Sequence, residues 1–155
     1  MHFSRRGFIL TGSALGYLAS FPVSAQAGQS IHVVKDPGCP CCNGWISYLR
    51  ANDFAVTFEE RSVEVLAAFK REQGIPAELV SCHTATSEGY TIEGHVPAAD
   101  IRRLLAERPD AIGLAVPGMP FGSPGMGPET ERVAYDVILI GKDGTAATFT
   151  SYPAA

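Results

Sequence analysis

Three observations predict an α/β domain of thioredoxin-like order. A cysteine-rich turn, Cys39-Pro40-Cys41-Cys42, joins an apolar strand-like run to a helix-like one. A second strand and helix are followed by a Gly-turned hairpin over 82–93. A third helix opens at Pro97. The resulting order is βαβ-α-ββ-α, followed by a C-terminal Gly/Pro loop and a β-hairpin extension.

The elements follow in chain order. Ile31-His32-Val33-Val34 reads as the first strand, and Asp36-Pro37-Gly38 as a turn that Pro37 keeps out of a strand ladder. The spacing predicts a helix over about 42–51. Trp45 and Leu49 lie at i,i+4 and Ile46 and Leu49 at i,i+3, so they share an apolar face. Ala55 to Glu60 alternates Val56 and Phe58 with Thr57 and Glu59, the pattern of a half-buried strand. Ser62 is a candidate N-cap for the second helix, which carries Val65, Leu66 and Phe69 and stops at Gly74. Cys82 to Thr86 and Tyr90 to Glu93 flank the turn at Ser87-Glu88-Gly89. The third helix presents Ile101, Leu104 and Leu105 and ends before Pro109. Val116 to Pro128 alternates prolines and glycines and reads as a long loop. Tyr135 to Ile140 and Thr145 to Tyr152 form a hairpin across Lys142-Asp143-Gly144.

Residues 1–27 read as a twin-arginine signal peptide. Ser4-Arg5-Arg6-Gly7-Phe8-Ile9 precedes a modest apolar stretch, and Ala25-Gln26-Ala27 is a small-residue cleavage site. The apolar stretch is too short to span a bilayer, so after cleavage the domain of 28–155 is expected free of the membrane; an uncleaved membrane tether is the alternative reading. The expected location is the periplasm, where disulfides are permitted. Without the leader, 10 basic residues stand against 16 acidic ones. An acidic domain with no basic run excludes nucleic acid as a partner class. No nucleophile elbow, P-loop or paired-carboxylate pattern occurs, so hydrolase and transferase chemistry have no basis in the sequence.

The cysteine turn parses in two ways. Cys39 and Cys42 form a C-x-x-C dithiol of the kind used in disulfide exchange. Cys41 is then surplus, whereas a thiolate cluster binding copper(I) uses all three sulfurs. The bland alternative is a structural disulfide with a spare thiol, and zinc is disfavoured by the adjacent Cys41-Cys42 pair. In the glutaredoxin layout the third strand begins against the dithiol, after a segment that normally holds a cis proline. Cys82 falls beside that segment and His83 takes the proline's place, so Cys82 is expected to face the other three cysteines; a lone buried cysteine is the alternative. Met119 and Met126 lie in the Gly/Pro loop, as copper(I) thioethers or as apolar plugs. His83, next to Cys82, and His95, before Val96-Pro97, are candidate ligands or supporting groups; His32 reads as structural.

Taken together, Cys39-Pro40-Cys41-Cys42 with Trp45, Ser81-Cys82-His83-Thr84-Ala85, Glu93-Gly94-His95-Val96-Pro97-Ala98, Gly113-Leu114-Ala115-Val116-Pro117-Gly118-Met119-Pro120 and Gly122-Ser123-Pro124-Gly125-Met126 resemble the CopG-type copper-resistance proteins, a family long described only as a domain of unknown function. The resemblance spans about residues 31–152. It implies a thioredoxin-like fold and a multinuclear copper(I) cluster bridged by Cys39, Cys41, Cys42 and Cys82, with His83, His95, Met119 and Met126 as further matches to family motifs. It also implies a role in copper tolerance through binding, transfer or copper redox interconversion, with a periplasmic copper efflux system or copper chaperone as partner. The alternative is a thiol–disulfide oxidoreductase with Cys39 as nucleophile and Cys42 as resolver.

Overall fold

A computed structural model describes residues 28–155. The expected leader, 1–27, lies outside the described residues. The described residues form a mixed α/β domain with one seven-stranded sheet and three α-helices. The strands are β1 (Ser30–Lys35), β2 (Ala55–Glu60), β3 (His83–Ser87), β4 (Tyr90–Glu93), β5 (Ala111–Ala115), β6 (Tyr135–Gly141) and β7 (Ala146–Tyr152). The helices are α1 (Pro40–Ala51), α2 (Val63–Glu72) and α3 (Ala98–Glu107).

The sheet order is β2-β1-β3-β4-β5-β6-β7. β1 and β2 run parallel around α1, and β4 and β5 run parallel around α3. The β1–β3, β3–β4, β5–β6 and β6–β7 pairs are antiparallel. The expected hairpin at 83–93 turns on Glu88 and Gly89, both at positive φ (47° and 88°), as a two-residue turn between right-twisted strands requires.

Alternation along the strands sorts the core into two layers. Ile31 and Val33 of β1, Ala85 of β3, Ile92 of β4 and Leu114 of β5 pack with Trp45, Ile46 and Leu49 of α1 and Ile101, Leu104 and Leu105 of α3. A smaller cluster of Ile75, Leu79, Ala115 and Ile140 gathers around the short turn that follows α2.

Two features differ from the sequence expectation. Helix α1 begins at Pro40 rather than near Cys42, because proline is tolerated at the first helical position, where its missing N–H is not needed. Strand β5 lies where no strand was expected, since it is only five residues long and carries a glycine at its centre. Gly113 is required there: a Cβ would stand 1.7 Å from the Thr91 carbonyl oxygen of β4. The extension beyond α3 is therefore three strands continuous with the sheet, not an appended hairpin.

Candidate metal centre

The cysteine turn is built by Asp36. Its carbonyl accepts the Cys39 N–H at 3.3 Å and its side chain accepts the Gly38 N–H at 2.8 Å. Cys39 then occupies the N-cap of α1, and Cys41 and Cys42 fall in the first helical turn. The free backbone N–H groups and the helix dipole at that end favour thiolates. Cys42 is fully buried, while Cys39 and Cys41 are half-buried.

Cys82 arrives from a different segment. β3 pairs with β1 so that His83 lies opposite Lys35, which brings the residue before it alongside the cysteine turn. Cys82 Sγ lies 3.7 Å from Cys41 Sγ and 3.6 Å from Cys42 Sγ. Cys41 Sγ in turn lies 3.3 Å from Cys39 Sγ and 4.0 Å from Met119 Sδ. Cys39 and Cys42 are joined as a disulfide, and Cys41 and Cys82 are free thiols. Burial, then the neighbouring Cys41, push the Cys82 thiol up to about 12.

Both candidate histidines reach Cys82. His83 Nδ1 lies 3.3 Å from Cys82 Sγ, and His95 Nε2 lies 3.1 Å from it. Burial holds both imidazoles below their ordinary range, so both are neutral at pH 7. The tautomer of His95 follows from its other contact. Nδ1 lies 2.8 Å from the Pro124 carbonyl, which can only accept, so Nδ1 carries the proton and Nε2 presents a lone pair to the Cys82 thiol. The His83 ring packs on Trp45 at a tilt of 42°, with centroids 4.4 Å apart, and edge-on to His95. Its Nε2 is buried without a hydrogen-bond partner among the described residues. His32 sits apart on β1, exposed, with Thr57 at 2.9 Å.

The Gly/Pro loop closes the pocket from one side. Gly125, at φ +83°, packs against α1 so tightly that a Cβ would stand 2.4 Å from the Trp45 nitrogen. Gly118 donates to the Val80 carbonyl at 3.2 Å, which sets Met119 beside Cys41. Met126 donates to the Ser123 carbonyl and accepts from the Gly122 N–H through its backbone, both within the loop.

Beneath Cys82 lies a network the sequence reading did not single out. Lys70 of α2 is 2.6 Å from Glu93 and 2.8 Å from the Thr84 hydroxyl, and Thr84 donates to Glu93 at 2.6 Å. Glu93 also accepts the Ser81 N–H at 2.6 Å. Lys70 and Glu93 are both buried. The available signal was Glu93 itself, a charge ending an otherwise uncharged strand.

The donors form two overlapping groups, Cys39-Cys41-Cys42-Cys82 and Cys82-His83-His95, which share Cys82. Clustered thiols, an adjacent thioether and imidazoles are the donors of a soft or borderline metal ion. His83 Nδ1 and His95 Nε2 fit such a site, since both face the Cys82 sulfur at 3.3 and 3.1 Å.

Comparison with known proteins places this arrangement. The family described as "Protein of unknown function, DUF411" matches residues 79–126. Two solved structures, "Copper resistance protein copG- Form 1" and "Form 2", are each 44% identical to the chain and cover 81% of it. They are matched over 98% and 99% of their own lengths, with TM-scores of 0.76 and 0.75. The chain belongs to the CopG copper-resistance family. No curated protein matches it. The CopG match extends well beyond the DUF411 segment, which holds Cys82, His83, His95, Met119 and Met126 but not the cysteine turn.

Proposed function

We propose that this chain is a periplasmic copper-binding protein that holds copper(I), in more than one ion, among Cys39, Cys41, Cys42 and Cys82. The observation that carries the reading is the approach of Cys82, from a segment 40 residues beyond Cys42, to within 3.6 Å of Cys42 Sγ and 3.7 Å of Cys41 Sγ. Four sulfurs exceed what a dithiol enzyme needs, and soft copper(I) is bridged well by thiolates. The CopG relatives support the choice of metal. Met119 supplies a thioether at the rim, and His83 and His95 supply nitrogens that suit copper(II) should the ion change oxidation state. Reduction of the Cys39–Cys42 disulfide completes the ligand set.

The β2-β1-β3-β4 strands with α1 and α3 are read as a thioredoxin-like core, and β5 to β7 as its extension. The leader of 1–27 is read as a twin-arginine signal cleaved after Ala27, which delivers the domain to the periplasm. The half-buried position of Cys39 and Cys41 suits transfer of copper by ligand exchange to an efflux system or chaperone. In this way the protein contributes to copper tolerance.

A second reading has one observation in its favour. The Cys39–Cys42 bond is that of a thiol–disulfide oxidoreductase. Anaerobic titration of the reduced domain with copper(I), against a chromophoric competitor, separates the two. More than one tightly bound copper, with capacity lost in Cys41→Ser, supports the copper reading. No tight binding, with rapid disulfide reductase turnover that survives Cys41→Ser, overturns it.

A further inference from the structure

We propose that Tyr152 and Asp100 form a proton-coupled redox site, which draws one-electron oxidising equivalents from Trp45 at the metal pocket out to the edge of the sheet. Trp45 is the chain's single tryptophan, and its ring centroid lies 4.4 Å from that of His83. Tyr48 follows at i+3 on α1, so the two side chains are neighbours on the helix surface. Tyr48, Tyr135 and Tyr152 all pack against the core cluster that holds Trp45. Tyr135 and Tyr152 end the row, stacked with centroids 4.9 Å apart on β6 and β7, the last two strands of the sheet.

Hydrogen bonding sets the direction of transfer. The Trp45 N–H donates to the buried Val96 carbonyl at 2.9 Å, an oxygen too weakly basic to take its proton. Oxidised Trp45 is therefore held as a radical cation, which is a strong oxidant. The Tyr152 hydroxyl donates instead to the buried Asp100 carboxylate at 2.6 Å, whose other oxygen is held by the Thr150 hydroxyl. Tyr90 donates to the Pro109 carbonyl and Tyr48 accepts the Ala98 N–H, and neither contact offers a carboxylate. Each step balances. A one-electron oxidant takes an electron from Trp45; for the hydroxyl radical that copper(I) generates from peroxide, the product is hydroxide. An electron from Tyr152 restores Trp45, and the phenolic proton passes to Asp100 Oδ2, which leaves a neutral tyrosyl radical. A thiol in solution returns a hydrogen atom to the half-buried Tyr152, and Asp100 releases its proton to water. The use of the route, to spare the cysteines from oxidation, rests on the copper reading; the route itself is a property of the protein alone.

The single tryptophan makes the test direct. In the metal-free protein, a laser flash absorbed by tryptophan and not by tyrosine ionises Trp45, with a cobalt(III) pentaammine complex taking the electron. Transient absorption then follows the tryptophan and tyrosyl radicals. The expected result is decay of the first and growth of the second at one rate, with slower growth in deuterium oxide. Tyr152→Phe is expected to remove most of the growth and Tyr90→Phe to leave it unchanged. Asp100→Asn keeps an acceptor oxygen but cannot hold the proton, and is expected to slow the growth about 100-fold, the scale of a lost general base. Unchanged growth in Tyr152→Phe overturns the site, as do equal rates in Asp100→Asn and the wild-type chain. Should Asp100→Asn fail to fold, equal wild-type rates in water and deuterium oxide overturn it instead. The solution holds no copper, so a failed radical transfer and a failed copper titration are separate results.

Discussion

The Glu93 carboxylate, at the end of β4, holds the backbone N–H of Ser81 at 2.6 Å and thereby fixes the residue that leads into Cys82. Glu93 is itself held by Lys70, and both are buried. The first prediction concerns this pair. Lys70→Met leaves a buried carboxylate without its cation and is expected to lower stability by about 3–5 kcal/mol. Lys70→Met combined with Glu93→Leu is expected to recover part of that loss, because no unpaired charge remains. Urea unfolding of the metal-free protein measures both. A smaller deficit in the single variant than in the double would refute the assigned pairing.

A second prediction contrasts two loop glycines. Gly125 and Gly118 both adopt positive φ, but a Cβ on Gly125 meets α1 backbone while one on Gly118 meets nothing within 4 Å. Gly118→Ala is expected to cost about 1 kcal/mol, the penalty of the left-handed conformation alone. Gly125→Ala is expected to cost more than about 2 kcal/mol, because helix and loop must part. Equal urea midpoints for the two variants would show that the loop does not grip α1.

A third prediction uses the single tryptophan. Trp45 is fully buried, donates to the Val96 carbonyl at 2.9 Å and packs on His83. Under the copper reading, loading the reduced protein is expected to quench Trp45 emission in step with binding. The oxidised protein, with Cys39 and Cys42 bonded, is expected to show a much weaker response. Unchanged emission through a saturating titration would place the metal away from His83.

Alkaline stability supplies a fourth. Tyr152 donates to Asp100 at 2.6 Å and stacks on Tyr135. Burial raises both phenols well above the usual range, helped at Tyr152 by its bond to Asp100. In the unfolded chain they ionise near pH 10. Below that pH their contribution is fully present. Above it the unfolded state releases protons the folded state keeps, so stability falls as pH rises. Each tyrosine adds at most about 1.4 kcal/mol per pH unit to the slope, reduced by its partial exposure. Tyr152→Phe is expected to flatten the decline between pH 10 and 12, followed by thermal unfolding at each pH.

Local signals carried much of the architecture. The hairpin at 83–93 announced itself through Glu88-Gly89 and its β-prone flanks, and α3 through its proline start and apolar spacing. The approach of Cys82 to the cysteine turn was legible through the glutaredoxin layout, in which the third strand begins against the dithiol; the antiparallel pairing of β3 with β1 produces that approach. Strand β5 was not legible because Gly113, which the sheet demands, is also the residue that weakens a strand signal. The Lys70–Glu93 pair was hidden for a different reason. Its partners lie 23 residues apart on unlike elements, and no local pattern distinguishes a buried lysine from a solvated one. For the same reason nothing in the sequence showed that the Met119 sulfur would stand 4.0 Å from that of Cys41.

The Pro124 carbonyl and the Gly44–Gly125 contact have a bearing on how this loop can vary. Most surface loops accept inserted residues, because their ends alone are anchored. This one is fastened at Val80, at α1 and at His95 within a dozen residues. An insertion between Pro117 and Pro124 would lift Met119 from Cys41 or release the proton arrangement of His95. The length of the segment is as much a part of the pocket's chemistry as the cysteines are.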